Sequence, residues 1–254
     1  TAPAHMPNGR VAIATHNNAS GADIYVAVIN TNGSVQWNNN LDYDGLEDYG
    51  IDVQVDAYNN LYVLATGKST SYDYDVLLYK LDAGGTEQWA FSWDAGNSLI
   101  DIPSAMKLAS DGSVYITGFA NQGNEITSSD EDHFVLKVDP SGDLDWEHIY
   151  DYDGLSDIGI DLEVDNDYVY AICNSHSSST VRNRTLLKYD KSTGELQEEL
   201  VRESASGNDY WTDLCWSGSN LVAGGRKNMD AVIACYVPSD LSKDWEITHD
   251  AFGL

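Results

Sequence analysis

The chain has 254 residues, with 41 acidic and 13 basic side chains and a formal charge of −28. So acidic a chain excludes nucleic acid and anionic membrane surfaces as partners, because both are bound through clustered Lys and Arg. With 42% hydrophobic residues there is enough apolar surface for one sizeable core, and no apolar run approaches the ~20 residues of a membrane span. In chain order, runs rich in β-branched and aromatic residues predict strands at Val11–Thr15, Ile24–Ile29, Leu61–Ala65, Val76–Leu81, Val114–Thr117, Phe134–Val138, Val169–Ile172 and Leu221–Ala223. Between them lie Asn8-Gly9, Asn32-Gly33, Gly84-Gly85 and Asp111-Gly112, pairs that supply the positive φ of tight hairpin turns. No stretch sustains a helical period. Cys173, Cys215 and Cys235 each sit in an apolar run with no CxxC spacing, which reads as small buried hydrophobes rather than a disulfide framework or zinc site.

Self-similarity organises these strands. An Asp precedes the first run of successive copies at Asp48, Asp101, Asp157 and Asp209, and an Asp or Asn opens the third run at Asp23, Asp75, Asp132, Asn183 and Asp230. A Trp closes four copies, at Trp37, Trp89, Trp146 and Trp245, with Glu198 in its place in the fourth. Five repeats result, approximately 1–45, 46–98, 99–154, 155–206 and 207–254, forming one domain over 1–254. Four short antiparallel strands per repeat of this length are the pattern of propeller blades, so the expected fold is an all-β propeller of five four-stranded blades. The alternative is a five-blade fragment of a larger propeller. Asp250-Ala-Phe-Gly-Leu254 matches Asp42-Tyr-Asp-Gly-Leu46, in register with a start inside a first strand, and favours a closed ring.

The segments DYGIDVQVDAYNNLYVLATG, DVLLYKLDAGGTEQW, ASDGSVYITG and DHFVLKVDPSGDLDW resemble the SBBP-type bacterial β-propeller repeat. Lys80, Lys137 and Lys188 match that family's strand lysine, and the closing Gly-x-x-x-Trp is similar to the tryptophan-docking segment of quinoprotein propellers. The resemblance implies a secreted or surface propeller within a large bacterial protein, usually without enzymatic activity of its own.

Three groups of residues are candidate sites. Asp42-Tyr-Asp-Gly-Leu-Glu-Asp48 and Asp151-Tyr-Asp-Gly-Leu-Ser-Asp157 place three carboxylates within seven residues around a Gly, so Asp42, Asp44, Asp48, Asp151, Asp153 and Asp157 are candidate calcium ligands. Neither segment follows the EF-hand loop, and a solvated acidic turn is the plainer reading. Tyr43, Tyr72, Tyr74 and Tyr152 lie in loops, where aromatic faces are platforms for sugars and peptides. Asp52, Asp161 and Asp213 fall at equivalent positions on the predicted innermost strands, where they would crowd a central tunnel. The third-run Asp and the closing Trp recur in blade after blade, which reads as backbone capping and inter-blade packing.

The functional expectation is a non-enzymatic, extracellular or cell-surface recognition propeller that binds a glycan or protein through its blade loops. A carbohydrate-active enzyme using the tunnel carboxylates is the alternative. A ligand-free spacer of a longer multidomain surface protein is the third reading.

Overall fold

In the computed structural model the described residues are 3–17, 21–70, 73–96, 99–121, 130–178, 180–204, 207 and 209–250. They form five four-stranded antiparallel sheets, each a simple meander in chain order. Blade 1 holds β1 (Ala4–His5), β2 (Val11–His16), β3 (Ile24–Ile29) and β4 (Val35–Leu41). Blade 2 holds β5 (Asp48–Val55), β6 (Leu61–Lys68), β7 (Tyr74–Leu81) and β8 (Glu87–Trp93). Blade 3 holds β9 (Asp101–Leu108), β10 (Val114–Asn121), β11 (Glu131–Val138) and β12 (Leu144–Tyr150). Blade 4 holds β13 (Asp157–Val164), β14 (Tyr168–Ser178), β15 (Val181–Asp190) and β16 (Leu196–Arg202). Blade 5 holds β17 (Tyr210–Ser217), β18 (Asn220–Lys227), β19 (Asp230–Tyr236) and β20 (Lys243–His249). This is a five-blade β-propeller.

The meander gives every blade two rims. First and third strands begin, and second and fourth strands end, at one rim (the entry rim); the other is the exit rim. The middle strands of blades 2, 3 and 4 are buried on both faces over most of their length, which is why β6 reads as an almost unbroken apolar run. Its Leu61, Val63 and Ala65 pack toward blade 1, whereas the alternate Tyr62 and Leu64 pack toward blade 3. Four apolar layers of this kind join neighbouring blades in sequence.

The closing tryptophans lock these layers. Trp37, Trp89 and Trp146 donate their indole N–H to Ala83, Pro140 and Lys191 carbonyls in the last hairpin turn of the next blade, at 3.1, 3.2 and 3.1 Å. Each ring lies on a positive-φ glycine of that turn, Gly85, Gly142 or Gly194, where an added Cβ would meet the indole at 3.0, 2.8 or 2.6 Å. Both the left-handed backbone and the close approach demand Gly there. The fourth junction is built differently. Glu198 holds Lys188 at 2.9 Å, and the Lys188 ammonium donates to the Ser239 carbonyl at 2.9 Å, reaching the same turn as the indoles do elsewhere. The left-handed position of that turn is held by Leu241 (φ 49°) rather than a glycine, and its side chain drops into the core.

Ring closure departs from the expectation. Among the described residues, no strand of blade 5 lies in extended contact with a strand of blade 1. Blade 5 accordingly turns an uncovered apolar face outward: Ile233, Ile247 and Trp245 are 49%, 62% and 40% exposed, while Val135, at the repeat position of Ile233, is fully buried against blade 4. Cys173 and Cys235 are buried as expected, but Cys215 is exposed, because the alternation of β17 assigns the inward place to Leu214.

Candidate functional site

The entry rim carries the acids. Asp48, Asp101 and Asp157 open the first strands of blades 2, 3 and 4 and are at most 1% exposed. Each uses its Oδ2 to accept a backbone N–H of the preceding loop: Tyr43 at 2.6 Å, Ala95 at 2.8 Å and Tyr152 at 2.6 Å. Loop capping therefore belongs to this Asp. The third-run Asp, expected to do that work, does something else: Asp75 Oδ2 accepts the Tyr43 hydroxyl at 2.8 Å, and Asp132 keeps a buried Oδ1 without a partner. Burial pushes the Asp48 carboxyl up to about 6, and burial with neighbouring carboxylates pushes Asp101, Asp132 and Asp157 up to about 7.

Two carboxylate triads assemble here. One carboxylate oxygen each from Asp132, Asp151 and Asp157 lie within 4.8 Å of one another, and so do those of Asp73, Asp75 and Asp94. The first triad joins Asp151 and Asp157, both expected from the acidic segment, to Asp132 from a different strand. Asp153 is left out. It and Asp44 sit at exposed turn tips with φ of 60° and 57°. Asp42, also exposed, accepts the Gly45 N–H at 2.9 Å and with Asp48 forms no such triad among the described residues. The second triad went unnoticed in the sequence, although the 19-residue spacing of Asp75 and Asp94 repeats that of Asp132 and Asp151.

The loop tyrosines are mostly engaged. Tyr43 is half-buried with its hydroxyl given to Asp75, Tyr152 is half-buried within its turn, and Tyr74 lies under the Lys68 ammonium at 5.5 Å. Tyr72 lies outside the described residues.

On the first strands of blades 2, 4 and 5 a β-bulge precedes each acid expected to face a tunnel, between Gly50 and Asp52, Gly159 and Asp161, and Trp211 and Asp213, of which Asp213 is exposed. Such bulges re-aim side chains. Asp161 accepts the Leu214 N–H of blade 5 at 2.8 Å and its own neighbour's N–H, from Leu162, at 2.8 Å. Burial and the adjacent Asp213 push Asp161 up to about 7. Asp52 is raised by burial but eased by the Val53 N–H and Gln54. The structure thus pairs Asp161 with Asp213.

The exit rim holds concave surface that the sequence reading passed over. A cleft of about 540 Å³ between blades 2 and 3 is lined by Tyr58, Tyr62, Lys80, Leu108 and Pro140 among others. A second, of about 460 Å³, lies between blades 3 and 4 around Tyr115, Lys137, Tyr168 and Lys191. Tyr58 is 82% exposed. Lys80 lies over the rings of Tyr62 and Trp89 at 5.0 and 5.9 Å, and among the described residues it makes no ion pair. By contrast Lys137 is paired with Asp145 at 2.6 Å. The strand lysine near the end of the third run in blades 2, 3 and 4, replaced by Val28 and Cys235 in blades 1 and 5, was the signal available for this rim.

No known protein family matches the sequence, and no curated protein does so. Solved structures match in fold. A protein of unknown function from Bacteroides caccae has 10% identity and a TM-score of 0.57, with 99% of this chain and 82% of that one covered. The Dos1 propeller has 12% identity and a TM-score of 0.59, covering 98% of this chain and 61% of that one. The cobalt-substituted apocarotenoid oxygenase of Synechocystis has 10% identity and a TM-score of 0.54 over 98% of this chain, again 61% of its own length. At these identities the likeness is one of fold, and the chain spans about three fifths of the last two proteins.

Proposed function

We propose that the chain is a non-enzymatic recognition propeller, secreted or displayed at a cell surface, that takes a glycan in the exit-rim cleft between blades 2 and 3. The observation that carries this reading is Lys80, an ammonium without a carboxylate partner among the described residues in a chain of charge −28, set over Tyr62 and Trp89 in a cleft shared with the exposed Tyr58. Aromatic faces stack on the apolar faces of sugar rings, and a lysine beside them selects a ligand carrying an acidic group. The resemblance of the repeats to the SBBP-type repeat accords with this reading, and a protein ligand is the second candidate for the same cleft. The test is a glycan array with the wild-type chain and with Tyr58→Ala and Lys80→Gln. Saturable binding to a narrow set of acidic sugars, lost in both variants, supports the proposal. Binding that survives both substitutions removes the cleft, and a blank array removes the glycan.

A further inference from the structure

The two entry-rim triads combine features that acidic surface turns do not share. In the first, Asp132 and Asp157 are 7% and 0% exposed, and each retains a buried Oδ1 with no hydrogen-bond partner among the described residues. Asp157 Oδ2 is already committed to the Tyr152 N–H, so the orphan oxygen is what remains to meet Asp132 and the exposed Asp151. In the second, Asp73 and Asp75 are 5% and 4% exposed. Their Oδ2 atoms accept the Ser69 hydroxyl at 2.7 Å and the Tyr43 hydroxyl at 2.8 Å, and both Oδ1 atoms are left without partners. Buried carboxylate oxygens lacking donors require either a proton or a cation.

The fourth junction supplies a comparison within the same molecule. There Asn183 replaces the third-run Asp, and the adjacent Arg184, 3% exposed, sets its guanidinium 3.9 Å from Asp209, the counterpart of Asp157. Where the carboxylate is missing, the chain provides its own buried positive charge. At the second and third junctions the carboxylates are kept, and no lysine or arginine among the described residues pairs with the triads.

We propose that the Asp132–Asp151–Asp157 and Asp73–Asp75–Asp94 triads each bind one hard divalent cation of the calcium class. All donors are carboxylate oxygens, the ligands hard cations prefer. Three carboxylate oxygens lying within 4.8 Å of one another are near enough to share one ion, and a partly exposed, partly loop-borne set of this kind suits the flexible coordination of calcium better than the strict octahedron of magnesium. The inference does not depend on the exit-rim ligand, which lies on the opposite rim.

The test is calorimetric titration of the EDTA-stripped full chain with calcium chloride, with thermal melts in calcium and in EDTA. The expected result is two bound ions, a melting temperature that rises with calcium, and at least about tenfold weaker binding of magnesium. Asp132→Asn and Asp75→Asn should each remove one ion. Asp151→Ala and Asp94→Ala, at exposed positions where folding is tolerant, should weaken one ion each by at least about tenfold. Asp209→Asn should leave the stoichiometry at two. Absence of saturable heat with an unmoved melting temperature, or wild-type stoichiometry in an Asp75→Asn/Asp132→Asn double variant, overturns the proposal.

Discussion

Replacing His133 with Leu should abolish an acid sensitivity that this one side chain imposes on blade 3. His133 opens toward blade 4 and is fully buried beneath Gly159, whose backbone approaches so closely that an added Cβ would meet the imidazole Cδ2 at 2.5 Å. Thr117 donates its hydroxyl to the Phe134 carbonyl at 3.1 Å, so the 2.8 Å contact between Thr117 Oγ1 and His133 Nε2 requires the ring to donate from Nε2. Nδ1 is then the bare nitrogen, and it has no partner. Protonating it would bury an orphan N–H and a charge, which is why burial, and then His148, push His133 down to about 3. Between that value and the unfolded value near 6.5 the unfolded chain binds the extra proton, so this residue's contribution to stability is intact at neutral pH and is lost as pH falls through the window. From pH 7 to pH 4.5 the loss amounts to about 2 units at 1.36 kcal/mol each, or roughly 2–3 kcal/mol. Urea unfolding of wild type and His133→Leu at both pH values measures it. The buried carboxylates, whose raised values act with the opposite sign, cancel in the difference between the two proteins. The Leu variant should lack this 2–3 kcal/mol decline, and parallel pH dependences for the two proteins would refute the reasoning.

The indole-on-glycine junction predicts non-additivity. Gly194→Ala should cost the left-handed backbone penalty of about 1 kcal/mol plus the clash with the Trp146 ring, whereas in a Trp146→Ala background only the first part remains. A double-mutant cycle by chemical denaturation reads the difference, and additive costs would count against the docking role. A second contrast uses one repeat position in two settings: Val135→Asp should destabilise by about 4 kcal/mol or more, since it buries a charge between blades 3 and 4, while Ile233→Asp should stay within about 0.5 kcal/mol. Thermal melts of the two variants check this, and similar losses would mean that the blade 5 face is covered in solution.

The blades were legible because each is a local object. Alternation, Gly-containing turn pairs and the recurring Asp and Trp all act within some fifty residues, so strands such as Ile24–Ile29 could be placed to the residue. What stayed hidden depends on neighbours from different blades or on backbone irregularity. The bulges that precede Asp52, Asp161 and Asp213 carry no distinct composition. The triad at Asp132 was missed because its members come from a third strand, a loop and the first strand of the next blade, and a linear search favoured the nearer Asp153. The exit-rim clefts exist only once blades stand side by side. Lys80 and Lys137 were visible as repeat lysines, but their difference in pairing was not.

The two-part construction of the blade junctions restricts how such a chain can be recombined. The indole comes from one blade and its glycine from the next, so neither half is neutral when moved alone. A duplicate of blade 3 inserted ahead of blade 5 would bring Trp146 down onto Leu241, while blade 4 placed ahead of another blade would present Lys188 to a glycine turn with no ring to cover it. Shuffling would therefore succeed only when the cuts fall inside blades, carrying each outer strand together with the turn that receives it. In that sense the unit of inheritance in this propeller is the junction rather than the blade.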